Sequence, residues 1–220
     1  MSGARAEIMT RLKAACPHAD AGIARDRLSR HPRNLVPRRA MPVGDDANAL
    51  FVDMARQAAA SVSELKSRDE IPAAAAAFLR QHDLPEKLRL AADARLAGLD
   101  WGKIETMDGP AGADDTAALS HAFCGIAETG TLMMLSGPDN PVSLNFLPDN
   151  HLVVLEAGGI VGAYEDAWDR LREKMGESAM PRAVNWITGP SRTADIEQTL
   201  VLGAHGPRRL HILLIREQNA

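Results

Sequence analysis

Apolar positions in the first half of the chain alternate between helical and extended spacing. Within Ala4–Ala15, Ile8, Leu12 and Ala15 recur at intervals of four and three, which puts them on one face of a helix that Pro17 stops. The same periodicity returns over Asp45–Ala59, with Leu50, Phe51, Met54, Ala55 and Ala58 on one side. Ser61–Leu65 alternates and predicts a short strand. Ser67 or Asp69 is placed to cap a following helix, with Pro72 tolerated in its first turn and the Ala73–Ala77 run giving it high propensity. His82–Pro85 ends that helix, and Lys87–Ala92 predicts another short strand. Asp93–Asp115 shows no clear period; Gly109, Pro110 and Gly112 mark a loop.

From Thr116 the pattern sharpens. Ala117–Ala122 predicts a strand, followed by a tight turn of small residues. Thr131–Leu135 and His151–Glu156 read as buried strands, separated by a turn at Gly137, Pro138, Asn140 and Pro141. Tyr164–Met175 predicts an amphipathic helix, Val184–Thr188 a strand, Thr193–Leu202 a helix and Leu210–Ile215 a final strand. Strands alternating with helices predict an α/β fold: a mixed or mostly parallel sheet flanked by helices, with an N-terminal helical extension. The predicted organisation is residues 1–44, a helix plus an Arg/Pro-rich arm, and residues 45–220, the α/β domain. In the arm, Arg25, Arg27, Arg30, Arg33, Arg38 and Arg39 share a segment with Pro32, Pro37 and Pro42, which predicts an extended, solvated stretch. The alternative is an arm that lies on an acidic partner.

Composition narrows the function. The chain has 220 residues, is 45% hydrophobic and 25% charged, and carries a net charge of −4. That is an ordinary globular composition, not a disordered one, and too acidic for a general nucleic-acid binder. Cys16 and Cys124 fall short of the four thiolates an iron–sulfur cluster takes, and no CxxC pair is present. Free thiols suit a reducing compartment. No apolar run approaches the ~20 residues of a membrane helix, and the charged N-terminus lacks a secretory pattern, so the expectation is a cytoplasmic protein.

Two segments concentrate candidate chemistry. In Thr188–Glu197 a strand runs into a Gly-Pro turn. Gly189, Ser191, Arg192 and Thr193 then offer backbone N–H groups, hydroxyls and a guanidinium for an anion, expected at the carboxyl end of the sheet. Asp195 and Glu197 would sit in the first turn of the predicted helix, and Gly203 at its C-cap. A plain capped helix fits the same residues. In Gly125–Thr131, Glu128, Thr129, Gly130 and Thr131 gather polar groups before a buried strand. Glu128 is either a reactive carboxylate or a buried partner for a cation such as Arg192. His121, His151 and His205 lack metal-binding spacing, so no metal site is expected, and His151 reads as a core-edge histidine. There is no GxGxxG, no phosphate-binding GxxxxGK[ST] and no GxSxG elbow.

Gly125–Thr131 (Gly-Ile-Ala-Glu-Thr-Gly-Thr) and Thr188–Pro207 together resemble the signatures of the lactate-utilization protein C family, whose members carry a LUD domain. Leu147-Pro148 and His151–Leu155 fit the same pattern, and the resemblance runs from near Thr116 to Ile215. His121 departs from it, standing where a small residue is usual. The resemblance implies a fold similar to the sugar-phosphate isomerase and coenzyme A transferase group. It implies a cluster-free accessory subunit of an iron–sulfur system that oxidises L-lactate to pyruvate. No cofactor is then expected in this chain; iron–sulfur clusters belong to its partner proteins. The alternative is a small-molecule-binding enzyme acting on an anionic substrate or a coenzyme A ester, with Glu128 as its reactive carboxylate.

Overall fold

The computed structural model of the chain describes residues 2–15, 21–31, 33, 35–176, 179–193, 201–202 and 206–216. The chain divides into two compact units, residues 1–35 and 36–220. The first holds two helices, α1 (Ser2–Ala15) and α2 (Ala21–Arg30). The second of these corrects the expectation of an extended arm over Asp20–Gly44. Pro32, Pro37 and Pro42 all lie beyond Arg30, so the proline-free window is open to helix. An Arg30–Asp26 pair one turn apart supports it.

The second unit begins with α3 (Gly44–Gln57), β1 (Ser61–Leu65), α4 (Ile71–Gln81), β2 (Lys87–Leu90) and β3 (Glu105–Asp108). It continues with β4 (Ala117–His121), β5 (Cys124–Ile126), β6 (Thr131–Leu135), the short α5 (Ser143–Phe146) and β7 (Asn150–Glu156). Then come β8 (Ile160–Val161), α6 (Tyr164–Met175), β9 (Val184–Ile187), β10 (Arg192–Thr193), β11 (Val201–Leu202) and β12 (Arg209–Ile215). Six strands form a parallel sheet in the order β1-β12-β7-β4-β2-β3. A second, four-stranded sheet has the order β8-β5-β6-β9, with β5–β6 and β6–β9 antiparallel.

Central strands β7 and β12 are apolar almost throughout because both of their faces are covered. Leu152 and Val154 of β7, with Leu213 and Ile215 of β12, pack toward Ile71, Ala75, Phe78 and Leu79 of α4. Their neighbours Val153, Leu155, Ile212 and Leu214 turn to the other face, against Phe51, Val52 and Ala55 of α3 and Leu132 and Met134 of β6. The second sheet therefore lies against one face of the first. Its outer side (Cys124, Ile126, Met133) is covered by Ala167 and Leu171 of α6. Each fully buried side chain of this size contributes roughly 1.5–3 kcal/mol. Among the described residues, no helix is long and apolar enough to cross a membrane.

Two differences from the sequence reading bear on the site. The expected helix over Thr193–Leu202 is a β-ribbon at its described ends, Arg192–Thr193 pairing antiparallel with Val201–Leu202. Asp195, Glu197, Gly203 and His205 lie outside the described residues. The strand expected at Val184–Thr188 joins the second sheet through β6, not the parallel sheet. The Thr188 turn thus lies beside Leu210 and His151, near the amino ends of β12 and β7, and not at the carboxyl end.

Candidate functional site

Antiparallel pairing of β6 with β9 brings the two polar segments together. Leu132 opposes Ile187, so Thr131 and Thr188 meet one residue further on. Their hydroxyls lie 2.6 Å apart. Thr131 Oγ1 also lies 2.7 Å from Thr129 Oγ1 and 2.9 Å from the Tyr164 hydroxyl, and Thr129 Oγ1 lies 3.1 Å from Tyr164. Four hydroxyls thus act as donors and acceptors for one another, and Thr131 is fully buried.

The glycines of both segments seat on α3. Gly130 has φ +65°, and a Cβ there would collide with the backbone of Met54 and Ala55. Gly189 has φ +70°, and a Cβ there would strike the carbonyl of Ala58, just past the helix. Both positions need glycine for conformation and for space. The Arg192 guanidinium, exposed, donates to the same Ala58 oxygen at 2.5 Å.

A cavity of about 190 Å³ opens on the far side of the Thr188 turn. Thr188, Gly189 and Ser191 line it from the turn, Asn145 from α5, His151 from the start of β7, and Gly206 from the loop before β12. Among the described residues, no Asp, Glu, Lys or Arg lines it. Thr188 belongs to both the hydroxyl cluster and the cavity wall, and so ties the two sequence segments to one place. Ser191 N–H donates to the Pro207 carbonyl at 2.8 Å, which pins the turn to that loop.

Asn145 Oδ1 and His151 Nδ1, like Asn140 Oδ1 and Asn185 Nδ2 elsewhere, are buried and have no hydrogen-bond partner among the described residues. His151 is fully buried; its Nε2 lies 2.7 Å from Ser120 Oγ, and burial pushes its pKa down to about 3, so the ring is neutral. An unsatisfied buried polar atom costs about 1–3 kcal/mol. Asn145 Oδ1 and His151 Nδ1 both belong to residues that line the cavity.

The carboxyl end of the parallel sheet, where ligands of α/β folds usually bind, looks different. There Arg68 Nε bonds Glu156 Oε1 at 2.9 Å, and His121 Nε2 approaches the same oxygen at 3.5 Å. The His121 hydrogen bond, together with Arg68, holds the Glu156 carboxyl below its ordinary range against the effect of burial. These charges satisfy one another, so the cavity at the amino end is the stronger candidate.

Neither Glu128 nor Arg192 lines that cavity. Glu128 is buried, its N–H donates to the Gly162 carbonyl at 3.2 Å, and no ion pair joins it to Arg192 among the described residues. Thr129, Gly130 and Thr131 lie behind the cavity wall, Gly189 and Ser191 in it, and Thr193 in the β-ribbon. Asn145 gave no sequence signal, since an isolated Asn in a four-residue helix has no spacing to read. His151 is the expected core-edge histidine, with one nitrogen left over. Among the described residues, no group of three or more His, Cys, Asp or Glu side chains is placed to hold a metal.

Comparison with known proteins agrees with this architecture. The LUD domain family matches residues 48–215. An uncharacterized protein of Neisseria meningitidis serogroup B is 46% identical over 99 residues, 45% of this chain and 42% of that protein. Lactate utilization protein C of Anoxybacillus flavithermus is 33% identical over 122 residues, 52% of this chain and 54% of that protein. The protein of the same name in Bacillus subtilis is 34% identical over 94 residues, 42% and 39% of the two chains. The chain thus spans about half the length, or less, of these curated relatives. A crystal structure of a DUF162 family protein from Deinococcus radiodurans shares the fold, with a TM-score of 0.61 at 21% identity over 80% of this chain and 100% of that one. With three quarters of its length matched by one family and its fold found in a solved relative, the chain belongs to the LUD domain family.

Proposed function

We propose that this chain serves lactate utilization as a subunit without a cluster of its own, working beside iron–sulfur proteins that carry electrons from L-lactate as it becomes pyruvate. The observation that supports this most is its similarity to proteins named lactate utilization protein C within a LUD domain match that spans residues 48–215. Two cysteines leave the redox clusters to other chains. In this reading the cavity beside Thr188 holds a small organic acid. The Gly189–Ser191 turn faces the carboxylate, and the Thr129–Thr131 cluster fixes the turn from behind. The subunit acts in the cytoplasm.

Affinity purification of the chain from its host grown on L-lactate tests this. The expected result is co-elution with cluster-bearing proteins, seen as iron, acid-labile sulfide and visible absorbance in the eluate. A chain that elutes alone, while those iron–sulfur proteins elute with each other, contradicts it.

A second reading has an observation of its own. Glu128 is largely buried, and its carboxylate has neither an ion pair nor a side-chain hydrogen bond among the described residues, which leaves it free for chemistry. In this reading the chain is an enzyme of the coenzyme A transferase-like group: the Glu128 carboxylate attacks the thioester carbonyl, expelling coenzyme A thiolate and forming an acyl anhydride, and the thiolate then attacks the Glu128 carbonyl to give a glutamyl thioester and the free acid. Conversion of the Glu128 carboxyl to a primary alcohol after incubation with acetyl-coenzyme A and borohydride, located by peptide mass spectrometry, would favour it; unmodified Glu128 would sink it.

A further inference from the structure

A second cavity, of about 330 Å³, opens at the amino end of β1 and β12, where Ser61 lies opposite His211 in the parallel ladder. Arg208, Arg209 and His82 line it with them, and no Asp or Glu does so among the described residues. It adjoins the cavity beside Thr188, sharing Pro190 and Leu210 with it.

Packing of α4 on the sheet gathers these groups. The Phe78 ring stacks with His211 at 4.8 Å between centroids and meets His82 edge-on at 4.6 Å. Ser61 Oγ lies 2.7 Å from His211 Nδ1, which fixes that ring from the strand side. Burial, then the charge of Arg209, holds the His82 pKa below its ordinary range against the pull of Asp83. Burial, then His82, pushes His211 down to about 4. Both rings are thus neutral at pH 7, and the positive charge of the cavity belongs to the arginines.

That charge is poorly compensated. Arg208 Nε lies 3.6 Å from Asp149 Oδ1 with both side chains more than half exposed, a pair worth little in solvent. Arg209 Nη1 donates to the neutral Asn150 Oδ1 at 3.1 Å, and Arg209 has no acidic partner among the described residues. The carbonyls that end α4 would oppose an anion, but those of Phe78, Leu79 and Arg80 already accept from the backbone N–H groups of His82, Leu84 and Asp83.

Two guanidiniums supply two positive charges and a surplus of N–H donors, and the neutral His82 ring supplies one donor more. A phosphoryl group matches this set, with a charge near −2 and three acceptor oxygens. A carboxylate has a single charge and two oxygens, and leaves charge and donors unmet. The volume holds roughly twenty waters at ~10–15 Å³ each, so there is room for an organic remainder beside the phosphoryl group.

We propose that this cavity binds a small phosphate monoester, its phosphoryl group held by Arg208 and Arg209 with His82 donating beside them. Ser61 and His211 are positioning residues, which brace Phe78 and through it His82. The site is separate from the organic-acid cavity described above, and neither reading depends on the other.

NMR titration of the purified full-length chain with inorganic phosphate, glycerol 3-phosphate and acetate, at matched ionic strength, tests it. Both phosphates should shift the His82 imidazole signals saturably and bind at least about five-fold more tightly than acetate. Glycerol 3-phosphate should bind at least as tightly as inorganic phosphate. Bound phosphate should also raise the titration midpoint of His82, because an anion beside the ring favours the imidazolium. Arg209→Gln should weaken phosphate by about ten-fold and Arg208→Gln by less. Equal affinity for acetate and phosphate, shifts that do not saturate, or a folded Arg209→Gln that binds as the wild type does overturns the proposal, and so does exclusion of glycerol 3-phosphate. If neither arginine variant folds, the wild-type preference for phosphate and the response of His82 decide.

Discussion

His151 shows how a residue can be both ordinary and informative. It opens a buried strand, as a core-edge histidine should, and Ser120 satisfies one of its nitrogens. Only the other nitrogen departs from a plain structural role. Its burial also makes stability depend on pH. Unfolded, a histidine titrates near 6.5; in the fold His151 is pushed down to about 3 and His211, also by burial, to about 4. The unfolded chain therefore binds more protons than the native one below pH 6.5. Stability is full above that value and falls with acidification toward pH 4, at up to about 1.4 kcal/mol per pH unit for each group. The depressed carboxyl Glu156 loses its contribution only below its ordinary pKa near 4.5, so the interval from 6.5 to 4.5 reports mainly the histidines. Urea midpoints across that interval should fall steadily in the wild type and less steeply in His151→Gln. A flat wild-type profile would count against a buried neutral His151.

Among elements, α3 has the most varied duties. Its apolar face covers the parallel sheet, and the chain around its C-terminal end receives Gly130, Gly189 and Arg192. Gly189→Ala should therefore destabilise by about 2 kcal/mol or more, since it adds both a left-handed strain and a clash with a backbone carbonyl. Thermal melting would show a drop of several degrees; an unchanged melting temperature would mean the turn is not seated on Ala58. Elements with strong local pattern were legible in the sequence: α3, α4, α6, β6, β7 and β12 lie within a residue or two of where periodicity puts them. β5 was not, because three residues including a glycine carry no period. The ribbon of β10 and β11 was read as a helix because Ser, Thr and acidic residues cap helices well, and nothing local reveals antiparallel pairing. α2 was hidden by arginines and prolines that suggest an arm, although the prolines fall outside it.

For the whole molecule, the sequence identified the right neighbourhood but not the arrangement within it. Both signature segments were legible, and the β6–β9 pairing explains why they occur together: Thr131 and Thr188 share a hydrogen bond. Glu128 and Arg192 drew attention by their chemistry, yet the cavity is lined by Asn145 and His151 instead. That outcome depends on which sheet β9 joins, a non-local choice that moves the Thr188 turn from the carboxyl end of the parallel strands to their amino end. The fold thus separates two polar regions, a self-satisfied charge cluster around Glu156 and a cavity beside Thr188. The function proposed above belongs to the second.

Growth of the host on L-lactate tests that assignment most directly. A strain lacking the gene is complemented with the wild type, with Asn145→Leu, or with Arg68→Gln in the charge cluster, each checked for a normal melting curve. The account predicts that wild type and Arg68→Gln restore growth on L-lactate and Asn145→Leu does not, while all strains grow alike on glucose. Full growth with Asn145→Leu, or its loss with Arg68→Gln alone, would contradict it.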